Sequence, residues 1–215
     1  MRYLYLTIFI IVTTAHLIAS LKNNKYYRDI TKGMILLSLL GFYLESTMVV
    51  SWFIVCALIF SWIGDLLLIP KGNKWFLIGG ISFIVSHIFF IFSYNELMNI
   101  TNIPLYLIIV IACIYILFVF IVFSKLTKYL KKALIFPMIL YLVVNATMNS
   151  FAWFRLIAGL NIGSLITAVG ASLFFLSDSS LFFVRFNKDS IQKSHFLVML
   201  TYSLGEFLII LGLIL

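Results

Sequence analysis

Apolar residues run almost unbroken in long stretches along this chain, and polar residues gather in the short gaps between them. Eight stretches can be drawn, at about 3–21, 30–44, 47–69, 75–94, 103–124, 133–154, 161–184 and 196–215. Most reach the roughly 20 residues that an α-helix needs to cross the hydrocarbon core of a bilayer. The second is short, at about 15 residues, and would cross with little tilt or borrow length from its flanks. No ten-residue alternation recurs, which excludes an outer-membrane barrel. The pattern predicts an all-α polytopic bundle of eight transmembrane helices, a single integral membrane domain over 1–215. The first stretch has only Arg2 ahead of it and no small-residue cleavage point near "HLIASLK", so it reads as a retained helix.

Composition agrees and adds an orientation. Of the residues, 64% are hydrophobic and 10% charged, against about 25% charged in soluble domains. Thirteen of the 15 basic residues fall in the loops after spans 1, 3, 5 and 7 or at their edges. They are Lys22, Lys25, Arg28 and Lys32, then Lys71 and Lys74, then Lys125, Lys128, Lys131 and Lys132, then Arg185, Lys188 and Lys193. Only Arg2 and Arg155 fall on the other side. The positive-inside rule makes the odd loops cytoplasmic and both termini external. The net charge of +8 sits in these loops, beside anionic lipid, and gives no reason to expect nucleic acid. In a bacterium the membrane would be the inner, or cell, membrane. Cys56 and Cys113 lie inside apolar runs and read as small buried hydrophobes.

Three acids break the apolar pattern. Asp29, Glu45, Glu96 and Asp189 lie in or near loops, whereas Asp65, Asp178 and Glu206 lie within spans. An acid at mid-membrane costs about 2.5–3.5 kcal/mol on insertion scales, so it marks a site or a buried pair. Spans 3 and 7 both run inward, and Asp65 and Asp178 lie roughly 6 and 9 Å before their cytoplasmic ends. His16 and Tyr202 fall in the same slab, Lys32 just above it, and His87 and Glu206 deeper. Each Asp shares a helix stripe with small residues: Ala57, Ser61 and Gly64 on one, Gly163, Thr167, Gly170 and Ala171 on the other. Small residues let helices meet closely. A purely structural alternative ties each Asp to a nearby hydroxyl such as Ser61 or Ser177, with Asn145 and Asn149 as interhelical glue.

Two carboxyls close together in a low-dielectric site cannot both ionise, so one donates a proton while the other accepts. That predicts general acid–base chemistry by Asp65 and Asp178 without a metal or another cofactor. The substrate would be amphiphilic, its tail in the bundle and its head near Lys32. The other candidate substrate-binding residues are His87, Asn145, Ser177, Tyr202 and Glu206. A zinc site drawn from His16, His87, Asp65, Asp178 and Glu206 is the weaker rival, since no histidine pair has the usual ligand spacing and the two histidines differ in depth.

"FSWIGDLLLI", "FLIGGISFIVSH", "VGASLFFLSDSSL" and "YSLGEFLIILGL", in that order, resemble the lysoplasmalogenase family, which includes the bacterial YhhN-like proteins. The resemblance covers spans 2 to 8. It implies eight helices and hydrolysis of the vinyl ether bond of lysoplasmalogens, a lysophospholipid substrate, to a fatty aldehyde and glycerophospho-ethanolamine or -choline. The family's two aspartates correspond to Asp65 and Asp178, its Thr-Lys pair to Thr31 and Lys32, and its histidine to His87. Gly33, Phe90 and Glu206 stand where the family usually has Pro, Tyr and Gln.

Two other classes also use intramembrane carboxylates. A transporter of a small cation or lipid would couple translocation to them. An intramembrane aspartyl protease also needs two aspartates, but "WIGD" lacks the Gly-x-Gly-Asp pattern and no Pro-Ala-Leu triplet follows.

Overall fold

The computed structural model describes residues 3–186 and 194–215. Arg2, Lys188, Asp189 and Lys193, which entered the charge pattern, lie outside the described residues. The fold is all-α. Its helices are α1 Leu4–Leu21, α2 Lys25–Ser46, α3 Trp52–Leu67, α4 Asn73–Glu96, α5 Leu105–Leu126, α6 Lys132–Ala158, α7 Ile162–Phe186 and α8 Ser194–Ile214. Every apolar stretch is a helix, but the ends differ from those expected.

Helix α2 starts at Lys25 instead of 30, because the Asn24 side chain accepts from the Tyr27 N–H at 3.3 Å and caps the polar tract "KYYRD" into the helix. Helix α3 has 16 residues, and the backbone ahead of it is extended at Thr47 and Ser51. The Ser51 N–H there donates to the Tyr43 hydroxyl at 2.8 Å. Helix α6 runs to Ala158 and takes in Arg155, which lies beyond the expected end of the span at about 154.

Among the described residues, six helical segments are long and apolar enough to cross a membrane: α1, α4, α5 with its 3-10 extension, α6, α7 and α8. Helix α3 is apolar but spans only about 24 Å, and α2 carries Lys25, Arg28, Asp29 and Lys32 in its first eight residues. The chain is thus built as a multi-pass membrane protein.

Two compact units divide the chain, one ending at Phe90 within α4 and the other continuing from Ile91. In the first, α1 and α2 form a hairpin that packs on α3. Its turn is three residues, Lys22 to Asn24. Asn23 takes a φ of +53°, a left-handed conformation that asparagine tolerates better than most residues. The indole N–H of Trp62 on α3 donates to the Gly33 carbonyl on α2 at 2.8 Å.

Helix α4 lies along the small-residue face of α3. The Phe83 ring fills the space over Gly64, and a Cβ there would come within 2.7 Å of it. Serines complete this seam. Ser82 donates to the Phe60 carbonyl at 2.6 Å and Ser86 to that of Ala57 at 2.8 Å. With the Ser86 proton so used, Ser61 is the donor in the 2.7 Å bond between the two hydroxyls.

In the second unit α7 is the central helix. Most of α7 is buried, whereas most of α5 is exposed. Glycines set the antiparallel α7–α8 contact. Gly163 faces Gly212 and Gly170 faces Gly205, seven residues apart on each helix. A Cβ on Gly170 would sit 2.7 Å from the Ile209 nitrogen and 2.8 Å from the Gly205 carbonyl oxygen. Backbone here meets backbone, which only glycine permits. The buried Arg155 guanidinium locks the seam from α6, donating to the Thr167 hydroxyl at 2.6 Å and the Gly212 carbonyl at 3.1 Å.

Candidate functional site

Both expected stripes are buried, and so are the acids on them. On α3, Ala57, Ser61, Gly64 and Asp65 are buried; on α7, Gly163, Thr167, Gly170, Ala171, Phe174 and Asp178 are. Neither Asp is tied to the hydroxyl that the structural alternative suggested. Ser61 bonds Ser86, and Ser177 donates to the Val198 carbonyl on α8 at 2.7 Å. Ser177 thus serves the α7–α8 packing.

Asp65 pairs with Lys32, whose ammonium lies 3.2 Å from Oδ1. Lys32 sits on α2 one turn beyond Arg28 and was expected beside a substrate's head group. Its side chain is 17% exposed and that of Asp65 is 3% exposed, so the pair reaches outward from the lysine end. Next to Lys32, Thr31 holds His16 of α1, with Nδ1 2.8 Å from Oγ1. The Thr31 proton is used on the Tyr27 carbonyl at 2.6 Å, so the imidazole Nδ1–H is the donor. His16 is fully covered. His87 is buried on α4, where its Nδ1 donates to the Phe83 carbonyl one turn back.

Asp178, in the second unit, accepts from two neutral donors. Its Oδ2 accepts from the Tyr141 hydroxyl and from Asn145 Nδ2, the latter at 2.8 Å. Asn145 is oriented in turn: its Oδ1 accepts from Asn149 Nδ2 at 3.1 Å. The Asn149 Oδ1 accepts from the Tyr115 hydroxyl at 3.5 Å. Tyr141, Asn145 and Asn149 recur every fourth residue on α6 and form one polar stripe. The chain of donors has one sense, ending on the carboxylate, and hydrogen bonds aligned this way polarise one another.

The other expected residues are all buried. Tyr202 packs on Phe174 with ring centres 5.5 Å apart. Glu206 lies in electrostatic range of Tyr94, which is also in range of Arg155. Among the described residues no three His, Cys, Asp or Glu side chains gather as a metal ion would require. Sequence reasoning missed Tyr141, whose signal was its position four residues before Asn145. It also missed the direct pairing of Lys32 with Asp65.

No curated protein and no solved structure matches the chain. A model of the YhhN family matches residues 27–213, a range that takes in Lys32, Asp65, Tyr141, Asn145 and Asp178. With most of its length matched and both buried aspartates inside the match, the chain belongs to the YhhN family.

Proposed function

We propose that this membrane protein is a lysoplasmalogenase-like hydrolase. It opens the vinyl ether bond of a lysoplasmalogen to a fatty aldehyde and glycerophospho-ethanolamine or -choline. The observation that carries the reading is a pair of buried intramembrane carboxylates, Asp65 and Asp178, each held by its own dedicated partners in a YhhN-family chain. Acids kept in such surroundings are held for a purpose that packing alone does not require. The reading also takes all eight helices as crossings, with the basic loops on the cytoplasmic face.

Hydrolysis begins when a carboxyl gives its proton to the alkene carbon that is β to the ether oxygen. An oxocarbenium cation results, which a carboxylate stabilises while it takes a proton from the attacking water. The hemiacetal then collapses to aldehyde and free alcohol, and the acid is restored. Asp178 is assigned as the acid, because Asp65 is already engaged as an ion. Asp65, already an ion beside Lys32, is assigned to the cation and the water. His87, Tyr202 and Glu206 are assigned to lining the substrate's path, and Lys32 and Asn145 to holding the carboxylates.

The test is aldehyde release by purified protein in mild detergent, from a lysoplasmalogen and from its saturated alkyl-ether analogue. Release from the vinyl ether alone, lost in both Asp65→Asn and Asp178→Asn, is the expected result. Full activity in both variants would end the aspartate mechanism. Folded wild-type protein that releases no aldehyde would overturn the reaction and favour carboxylate-coupled transport.

A further inference from the structure

The basic residues at the start of α2 are not equivalent. Lys25 pairs with Asp29 one turn along, at 4.0 Å and largely exposed. Lys32 is committed to Asp65. Arg28, between them, has no carboxylate within ion-pair distance among the described residues. It is nonetheless partly covered, and both it and Lys32 lie close enough for their charges to act on buried His16. Residues four apart on a helix are neighbours, so Arg28 stands beside the outer end of the Lys32–Asp65 pair. Two cations and one carboxylate leave a single positive charge there.

From this juxtaposition we infer that Arg28 forms an anion subsite, at the mouth of the Lys32–Asp65 pair, for the phosphodiester of a lysolipid head group. The choice of lipid rests on the proposed function; the subsite itself rests on the unpaired guanidinium. A phosphodiester carries one negative charge, which matches the local surplus. A guanidinium offers two parallel N–H bonds to two phosphate oxygens, a geometry that an ammonium does not reproduce. Lys32, already neutralised, then steers the carboxylate while Arg28 anchors the substrate. If Arg28 served only as an orientation signal for the membrane, the phosphate would make no difference to binding.

The experiment measures equilibrium binding to the full chain in nanodiscs, without turnover. The probes are a saturated alkyl-ether lysophosphocholine, the matching alkylglycerol without phosphate, and inorganic phosphate as competitor. Wild type should hold the phospholipid at least about tenfold more tightly than the alkylglycerol, as expected for charge-assisted bonds. Arg28→Gln should erase that preference while leaving alkylglycerol binding unchanged, which also reports an intact fold. Lys25→Gln should keep the preference. Competition by inorganic phosphate in wild type alone would support a site that reads the phosphate group itself. Loss of preference in Arg28→Gln without such competition would support a site that needs the whole lipid. Equal binding of the two lipids by wild type, or equal weakening of both in Arg28→Gln, would overturn the inference. A phosphate preference that depends on Arg28, in a protein that releases no aldehyde, would retain the subsite and reject the reaction.

Discussion

Replacing Lys32 by Met tests the ion pair at its sensitive end. Asp65 is 3% exposed, whereas Lys32 is 17% exposed and has a flexible stem with which to reach water, so the carboxylate is the more sensitive end. Removing one partner of a buried pair costs about 3–5 kcal/mol, because the remaining charge loses its counter-ion. Removing both is often close to neutral. For a chain of this length 1 kcal/mol moves the midpoint by about 2–4 °C, so Lys32→Met should lower it by about 6–20 °C. Asp65→Asn should cost less than Lys32→Met, and Lys32→Met/Asp65→Asn should recover much of the loss. The assay is thermal unfolding in mild detergent, followed by tryptophan fluorescence across the four proteins of the cycle. A double variant whose loss equals the sum of the two single losses would refute the reasoning, since independent sites add and paired ones do not.

Asn145→Leu and Tyr141→Phe each remove a donor to Asp178 and should lower the turnover number for aldehyde release by about 10–150-fold, the equivalent of about 1.5–3 kcal/mol, with KM little changed. Steady-state kinetics on lysoplasmalogen check this, and a rise in KM with unchanged kcat would contradict it. Gly212→Ala sets a methyl group against the Gly163 carbonyl and Thr167; it should destabilise by about 1–3 kcal/mol, read as a lower unfolding midpoint. Gly72, with φ +127° and open space around it, gives a contrasting case. Gly72→Ala should cost about 1 kcal/mol through backbone strain and leave aldehyde release unchanged.

The helices were legible because apolar runs of membrane length have few other solutions. Their ends were not. The start of α2 depends on a cap at Asn24 and on polar residues that hydropathy assigns to a loop. Arg155 looked like a loop residue for the same reason: a charge at the end of an apolar run reads as solvent-facing, and the acceptors that bury it lie on α7 and α8.

Asp65 and Asp178 stood out because a carboxylate in oil is conspicuous. Their partners did not, since Lys32 is 33 residues from Asp65 and Tyr141 is 37 from Asp178. Serine was a poor guide. A hydroxyl in a helix bundle is easily satisfied by a main-chain carbonyl, as Ser177 is, or by another hydroxyl, as Ser61 is, and so is not available to a nearby acid. Better evidence lay in the four-residue recurrence of Tyr141, Asn145 and Asn149, which puts three polar groups on one face.

The glycine seam between α7 and α8 constrains how this chain can vary over time. Gly163 and Gly170 mesh with Gly212 and Gly205 only while seven residues separate each pair. A one-residue deletion between Gly205 and Gly212 would turn one glycine about 100° away from the other and drive a side chain into the α7 backbone. Length changes in this stretch are therefore tolerated only as matched heptads in both helices at once, an improbable event. Drift in chain length is pushed out to the connections, and the meshed stretches of the two helices vary as one piece.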